Sequence, residues 1–170
     1  LASSRSVVLA VGYVFVHHPA FRYVDQIKGE TPIEYARFEW GKLGGFDEDI
    51  VANLASHDLA MAYRLFESRP DSVDIVESVQ AAGGRNIVTL HATFDNARCH
   101  IHLNRLDSRK RKTATFVTEP GDIYLWQDDT VSQFDLTSES FQTVFETDRE
   151  PLKVEIERFL ASVRGNRTPI

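Results

Sequence analysis

Residues 85–106 read RNIVTLHATFDNARCHIHLNRL, and this stretch decides the fold. Apolar and polar side chains alternate on both sides of Asp95-Asn96, which predicts strands at Arg85–Phe94 and Arg98–Leu106. A two-residue connection between such runs is typical of a hairpin, whose strands are antiparallel. The stretch therefore predicts an antiparallel sheet with one apolar face.

Further segments have the same period of two. Those expected to be strands are 33–40, 73–81, 113–118 and 123–127, with 131–136 and 141–146 as additional candidates. Gly83-Gly84, Asp107-Ser108 and Pro120-Gly121 separate them with residues that favour turns. We expect about five or six strands in an open sheet.

Three segments have the spacing of amphipathic helices: Pro19–Lys28, Ile50–Phe66, and a last one that begins at Pro151 and ends at Gly165. The side chains predicted to form the core face of the last helix are Leu152, Ile156, Phe159, Leu160 and Val163. The fold class is thus α+β, an open, mainly antiparallel β-sheet with helices packed on one face.

An apolar run, Val7–Val11, ends at Gly12. Continuous apolar runs of this length are typical of parallel strands that are buried on both faces. We therefore predict a buried parallel strand here.

Length and composition limit the function. The 170 residues include 42% hydrophobic and 26% charged residues, as in a soluble globular domain. The formal net charge of -6 argues against a nucleic-acid partner, which needs clustered Lys and Arg. No apolar run reaches the roughly 18 residues of a membrane span, and no signal peptide is recognisable. The single cysteine, Cys99, is expected to be a packed thiol in a cytoplasmic protein.

The helix predicted at 50–66 carries Asn53 and His57, four residues apart and therefore on one face. An imidazole can give or take a proton near neutral pH, and a neighbouring amide can fix its tautomer. The same pair is also compatible with a hydrogen-bonded histidine that has no chemical role.

A second cluster consists of His100 and His102 on one strand face, with His91 on the adjacent strand. Such a His-x-His arrangement can bind a metal ion in a cupin-like barrel. A cupin also needs a following carboxylate and a later histidine, and Asp107 is the only nearby candidate. Polar-face histidines without a metal are the better interpretation.

Two segments could contact an anionic ligand. His17 and His18 stand just before a helix that begins at Pro19, where they could face a bound anion or simply line a crevice at a strand end. In the basic run Arg109–Lys112 we expect the solvated start of a strand, with Arg109 as a candidate phosphate contact. No glycine-rich nucleotide-binding loop is present, so any nucleotide site needs residues outside this chain.

Three short motifs occur in a specific order. Residues 11–21, VGYVFVHHPAF, have a Gly-aromatic step before a proline; residues 53–59, NLASHDL, carry the histidine; and residues 150–169 contain the closing helix. Together they resemble the strand-to-helix junction, the D-x-x-x-H motif and the last helix of the Gfo/Idh/MocA oxidoreductase family. Residues 104–129 also resemble a stretch common in members that act on sugar nucleotides.

The resemblance implies a two-domain enzyme. A Rossmann domain would hold NAD or NADP, and a C-terminal, dihydrodipicolinate-reductase-like domain would bind the substrate and form a homo-oligomer through its open sheet. Residues 1–12 would end the first domain and residues 13–170 would form the second. The full-length protein is expected to be a dehydrogenase for a hydroxyl of a sugar, sugar nucleotide or polyol, and the fragment alone is expected to be inactive.

The resemblance also implies roles for individual residues. His57 would be the catalytic acid or base on the substrate hydroxyl, with Asn53 as its partner. The implied substrate-binding residues are Tyr13, His17, His18, Asp58 and Arg109, the implied cofactor contacts are Gly12 and Pro19, and no metal is expected.

Two departures from the family pattern keep an alternative open. Asn53 stands where the family has Asp, and an amide cannot share a proton as a carboxylate can. Val16 stands where the family has Arg, which removes a cation. The alternative is a non-catalytic dimerisation or ligand-binding module of the same fold.

Overall fold

A computed structural model describes residues 7–45, 47–81 and 83–165. Residues 1–6, the start of the predicted nucleotide-domain segment, and residues 166–170, which include the end of the third motif, lie outside these ranges. Within them no helix is long and apolar enough to cross a membrane.

Strands and helices alternate irregularly along the described chain. The strands are β1 (Ile33–Gly41), β2 (Ser72–Ala81), β3 (Gly84–Phe94), β4 (Ala97–Asn104), β5 (Arg111–Thr118), β6 (Ile123–Gln127), β7 (Thr130–Asp135) and β8 (Ser140–Glu146). The α-helices are α1 (Pro19–Glu30), α2 (Ser56–Phe66) and α3 (Pro151–Val163). A 3-10 turn, Val14–His17, precedes α1, and a π-helical turn, Val51–Ala55, precedes α2.

The described strands form one open sheet in the order β2-β3-β4-β1-β5-β6-β7-β8. The β1–β4 contact is parallel and the other described contacts are antiparallel. The stretch at residues 85–106 forms the β3–β4 hairpin, in which Phe94 pairs with Ala97. The predicted class and sheet type are confirmed. The expected five or six strands were too few, because both candidate strands, β7 and β8, join the sheet beside the six predicted ones.

One face of the sheet forms the core under α1 and α2. Its fully buried strand side chains include Phe38, Leu90, Ile101, Leu103 and Phe116. Burial of each such side chain contributes about 1.5–3 kcal/mol. Cys99 is packed on the same face as predicted, and burial raises the pKa of its thiol.

The packing of α3 differs from the prediction. Val154 and Ser162 are its buried residues, and the helix contacts the 3-10 turn Val14–His17. The side chains predicted to face the core are 40–58% exposed: Leu152, Ile156, Phe159, Leu160 and Val163. The helical period was right and the buried side was wrong, because the main packing partner of α3 is the 3-10 turn and not the sheet.

The predicted strand at Val7–Val11 is absent from this structure. Residues 7–13 have no regular secondary structure, and Val7, Leu9 and Val11 are 58%, 76% and 61% exposed. A parallel strand needs a hydrogen-bonding neighbour and cover on both faces. None of the described strands pairs with this segment.

Candidate active site

His57 lies on the first turn of α2, against a wall of aromatic rings. Its ring centroid is 5.8 Å from that of Tyr13, 5.6 Å from Phe15 and 6.5 Å from Trp40. Tyr13 and Phe15 come from the segment before α1, whereas Trp40 comes from β1. They meet at His57 because α2 packs on both β1 and the 3-10 turn.

The environment of His57 favours a neutral ring. Burial lowers the pKa of the half-buried imidazole, the Lys112 ammonium lowers it further, and the Asp58 carboxylate opposes both. The Nδ1 atom is buried and has no hydrogen-bond partner. A neutral imidazole has one unprotonated nitrogen, so His57 can accept a proton from a hydroxyl placed beside it.

Asn53 makes no hydrogen bond to Nδ1 of His57. It lies in the π-helical turn, whose longer period means that residues four apart no longer lie one above the other. Its backbone carbonyl accepts a hydrogen bond from Ser56 Oγ at 3.0 Å. The geometry therefore gives no support for a proton relay between Asn53 and His57.

Lys112 was not recognised from the sequence as a site residue, and its assignment to a solvated run was wrong. Its side chain is only 12% exposed, and its Nζ donates a hydrogen bond of 2.5 Å to Oδ1 of the fully buried Asp58. Lys112 has the same strand parity as the buried Ala114 and Phe116, and this alternation was the available signal. The other three basic residues, 109–111, are exposed as predicted.

His18 lies on the far side of the same aromatic cluster. Its Nδ1 accepts a hydrogen bond of 3.2 Å from the backbone N–H of Ala20, which caps α1. Its ring centroid is 5.0 Å from that of Trp126, which in turn is 6.4 Å from Phe15. Nε2 is 3.5 Å from Oδ1 of Asp129. Burial lowers the pKa of His18, and the nearby Asp129 opposes that shift.

The remaining predicted residues occupy other surroundings. His17 is buried with its Nδ1 unpartnered, and burial followed by Arg158 lowers its pKa. A Cβ added to Gly12 would lie 3.3 Å from Glu155 Oε1 on α3. Arg109 lies in the exposed loop between β4 and β5, where its backbone N–H donates to Asp107. The structure thus groups Tyr13, His57 and Asp58, and the group includes the unpredicted Lys112, Phe15 and Trp40.

Three histidines lie on the open face of the sheet, as predicted. His91 Nε2 is 3.1 Å from His100 Nδ1, and His102 Nδ1 is 2.9 Å from Thr89 Oγ1. Across residues 7–45, 47–81 and 83–165, no group of three or more His, Cys, Asp or Glu side chains is placed to hold a metal ion. The sheet ends at β2 and β8 and is open, unlike the barrel of a cupin.

Comparison with known proteins identifies similar dehydrogenases. The chain is 29% identical over 98 residues to UDP-N-acetylglucosamine 3-dehydrogenase of Acidithiobacillus ferrooxidans, which covers 56% of this chain and 31% of that protein. A solved structure of an enzyme of that name and organism has a TM-score of 0.87 at 23% identity, over 99% of this chain and 56% of the other. A dehydrogenase from Chromobacterium violaceum has a TM-score of 0.82 at 12% identity, over 98% and 56%. No protein-family model matches the chain.

The chain spans little more than half the length of the structures that it matches. Those neighbours are Gfo/Idh/MocA-type oxidoreductases, so the resemblance inferred from the motifs is confirmed at the level of the fold. At these identities the structural likeness concerns the fold alone. The chain has the fold of a part of Gfo/Idh/MocA-type oxidoreductases, an open α+β sheet domain that makes up somewhat more than half of each matched protein.

Proposed function

We propose that the chain is the C-terminal, substrate-binding domain of an NAD(P)-dependent dehydrogenase of the Gfo/Idh/MocA family. The substrate would be a hydroxyl of a sugar, sugar nucleotide or polyol. The observation that carries this proposal is the half-buried His57, with its unpartnered Nδ1, inside a wall of aromatic rings. Similarity to UDP-N-acetylglucosamine 3-dehydrogenase favours a sugar nucleotide.

His57 would handle the proton of this reaction. Oxidation of an alcohol removes a hydride from carbon and a proton from the hydroxyl, and a bound nicotinamide supplies the hydride acceptor. A neutral imidazole within hydrogen-bond distance takes that proton as the carbonyl forms. The rings of Phe15 and Trp40 keep bulk water from one side of the imidazole.

The described residues fit the substrate side of the reaction but not the phosphates of a dinucleotide. Gly12, one of the two expected cofactor contacts, lies beside Glu155, whose carboxylate would repel a phosphate. Pro19, the other, is the first residue of α1 and has no backbone N–H to offer an anion. We therefore assign the phosphates to a Rossmann domain outside the described residues, with the boundary near Gly12 as the resemblance implies.

The exposed apolar side of α3 supports a second domain. We call this surface the α3 face; it consists of Leu152, Ile156, Phe159, Leu160 and Val163. Val7, Leu9 and Val11 are exposed as well. Exposed apolar groups of this size usually mark an interface. We propose that the α3 face and residues 7–11 pack against the nucleotide-binding domain, in which residues 7–11 would then form the last strand.

Replacing Ile156 by glutamate tests this interface. The side chain is 50% exposed, so the free energy of unfolding of the isolated chain should change by less than about 1 kcal/mol. In the longer protein, which would contain the proposed nucleotide-binding domain as well as this chain, the same change should separate the two domains. The separated domains should then be more susceptible to limited proteolysis. Leu136→Glu is the matched control, because Leu136 is 85% exposed in the turn between β7 and β8. Identical proteolysis of the two variants would contradict the assignment.

The open face of the sheet is proposed to pair with a second copy of the chain. Tyr35 and Val117 are cross-strand partners on this face, with Leu125 paired to Thr115 beside them. All four are only partly buried in the single chain. A homo-oligomer built on this face would cover them.

A non-catalytic module of the same fold is the second candidate. It is favoured by the buried Val16 at the position of the family's Arg, and by the absence of a hydrogen bond from Asn53 to Nδ1 of His57. The two candidates differ in whether the longer protein turns over a substrate.

Turnover by the longer protein tests the proposed function. With NAD or NADP and UDP-N-acetylglucosamine, free sugars or polyols as a panel, we expect reduced nicotinamide to form with at least one substrate. The isolated 170-residue chain is the control and should neither bind NADH tightly nor turn over. A longer protein that folds, binds no NAD(P) and oxidises none of the panel would favour the non-catalytic module.

A further inference from the structure

Lys112 occupies an unusual position for a lysine. Its side chain is directed to the core side of β5, and its Nζ donates to Asp58 on α2 at 2.5 Å. Asp58 is fully buried, and its second oxygen, Oδ2, has no hydrogen-bond partner. A buried pair of this kind is costly to desolvate, so its stabilising value alone does not explain it well.

The same ammonium group also contacts two aromatic rings. Nζ is 4.2 Å from the ring centroid of Phe15 and 4.3 Å from that of Trp40. At these distances the cation is attracted to the ring faces. Phe15 and Trp40 are also two of the three rings that contact His57. Lys112 and His57 therefore lie against the same pair of rings, while Asp58 is the next residue after His57 in α2.

We propose that Lys112 is a positioning residue for His57: anchored by Asp58, its ammonium group fixes the Phe15 and Trp40 rings against which the imidazole lies. This inference rests on the proposed function for its purpose, because it assigns His57 a role in proton transfer. The contacts from Lys112 through two rings to His57 can be tested without measuring turnover.

The electrostatic surroundings agree with this role. The charged groups that influence His57 are Lys112 from β5, which lowers the pKa of the imidazole, and Asp58 from α2, which raises it. Tyr13, before the 3-10 turn, brings the third ring and a phenol. With the positive charge present, the imidazole holds its proton less tightly than it would beside neutral rings.

NMR titration of the histidine ring protons in this chain tests the proposal without any enzyme assay. In Lys112→Met the proton affinity of His57 should rise by about three- to tenfold, and its ring-current shifts should decrease. Lys112→Arg keeps the charge and the ring contact, so both properties should stay close to those of the parent protein. Lys110→Met, in the exposed part of the basic run, is the matched control and should change neither.

A double variant covers the case in which Lys112→Met does not fold. Lys112→Met with Asp58→Leu removes both charges and leaves no buried carboxylate. The ring-current shifts of His57 should still decrease, since the anchor of the two rings is gone. Unchanged ring-current shifts in whichever of these variants folds would overturn the positioning role. If the longer protein shows no turnover but the His57 resonances change in these variants, the positioning role of Lys112 stands. That outcome would instead count against the proposed function.

Discussion

Lys112→Met is expected to lower the free energy of unfolding by about 3–5 kcal/mol. The substitution removes the partner of Asp58, whose side chain is fully buried and whose second oxygen is already unpartnered. Burial raises the pKa of the Asp58 carboxyl, and the Lys112 ammonium opposes that shift. Without the ammonium the protein must bury an unpaired charge or protonate the carboxyl, and both cost free energy.

Urea unfolding of three variants measures this effect. Lys110→Met is exposed and should stay within about 0.5 kcal/mol of the parent protein. Asp58→Leu combined with Lys112→Met should recover most of the loss, since no unpaired charge remains. A loss below about 1 kcal/mol for Lys112→Met would mean that the pair is not buried in solution as it is in the structure.

His57→Gln in the longer protein is expected to lower kcat/KM by about 10²- to 10⁴-fold. Glutamine keeps a polar side chain of similar length but cannot take the hydroxyl proton. Nδ1 of the imidazole makes no hydrogen bond, so the substitution leaves no partner of that atom unsatisfied. His102→Gln, on the open face of the sheet, is the control and should retain the parent rate. Equal kcat/KM values for His57→Gln and His102→Gln would mean that His57 does not take the hydroxyl proton.

The sheet could be predicted from the sequence because its signal is local. A two-residue period marked β3 and β4, and short turns such as Asp95-Asn96 dictated antiparallel neighbours. The parallel pairing of β1 with β4 was not predictable in this way, since the chain between them crosses α2 and two other strands. Which side of α3 is buried also depends on a distant element, the 3-10 turn at Val14–His17.

The candidate site was predictable only where a motif marked it. His57 and Asp58 belong to such a motif, and the structure places both at the aromatic wall. Lys112 was missed because it stands in a run of four basic residues. The charge of that run suggested a solvent-exposed segment, whereas the alternation along β5 indicates that Lys112 is on the core side. The link between Asn53 and His57 assumed α-helical spacing, which the π-helical turn at Val51–Ala55 does not provide.

The pH profile of kcat/KM tests the central claim, proton transfer by His57, most directly. Burial and Lys112 lower the pKa of His57 from its ordinary value of 6.5. Oxidation needs the neutral imidazole, so kcat/KM of the longer protein should be constant near neutral pH. It should fall about tenfold per pH unit on the acid side, with a midpoint below 6.5. His57→Gln should lose this acid limb and keep only a low, flat rate. An acid limb of the same midpoint in His57→Gln would assign the proton transfer to another group.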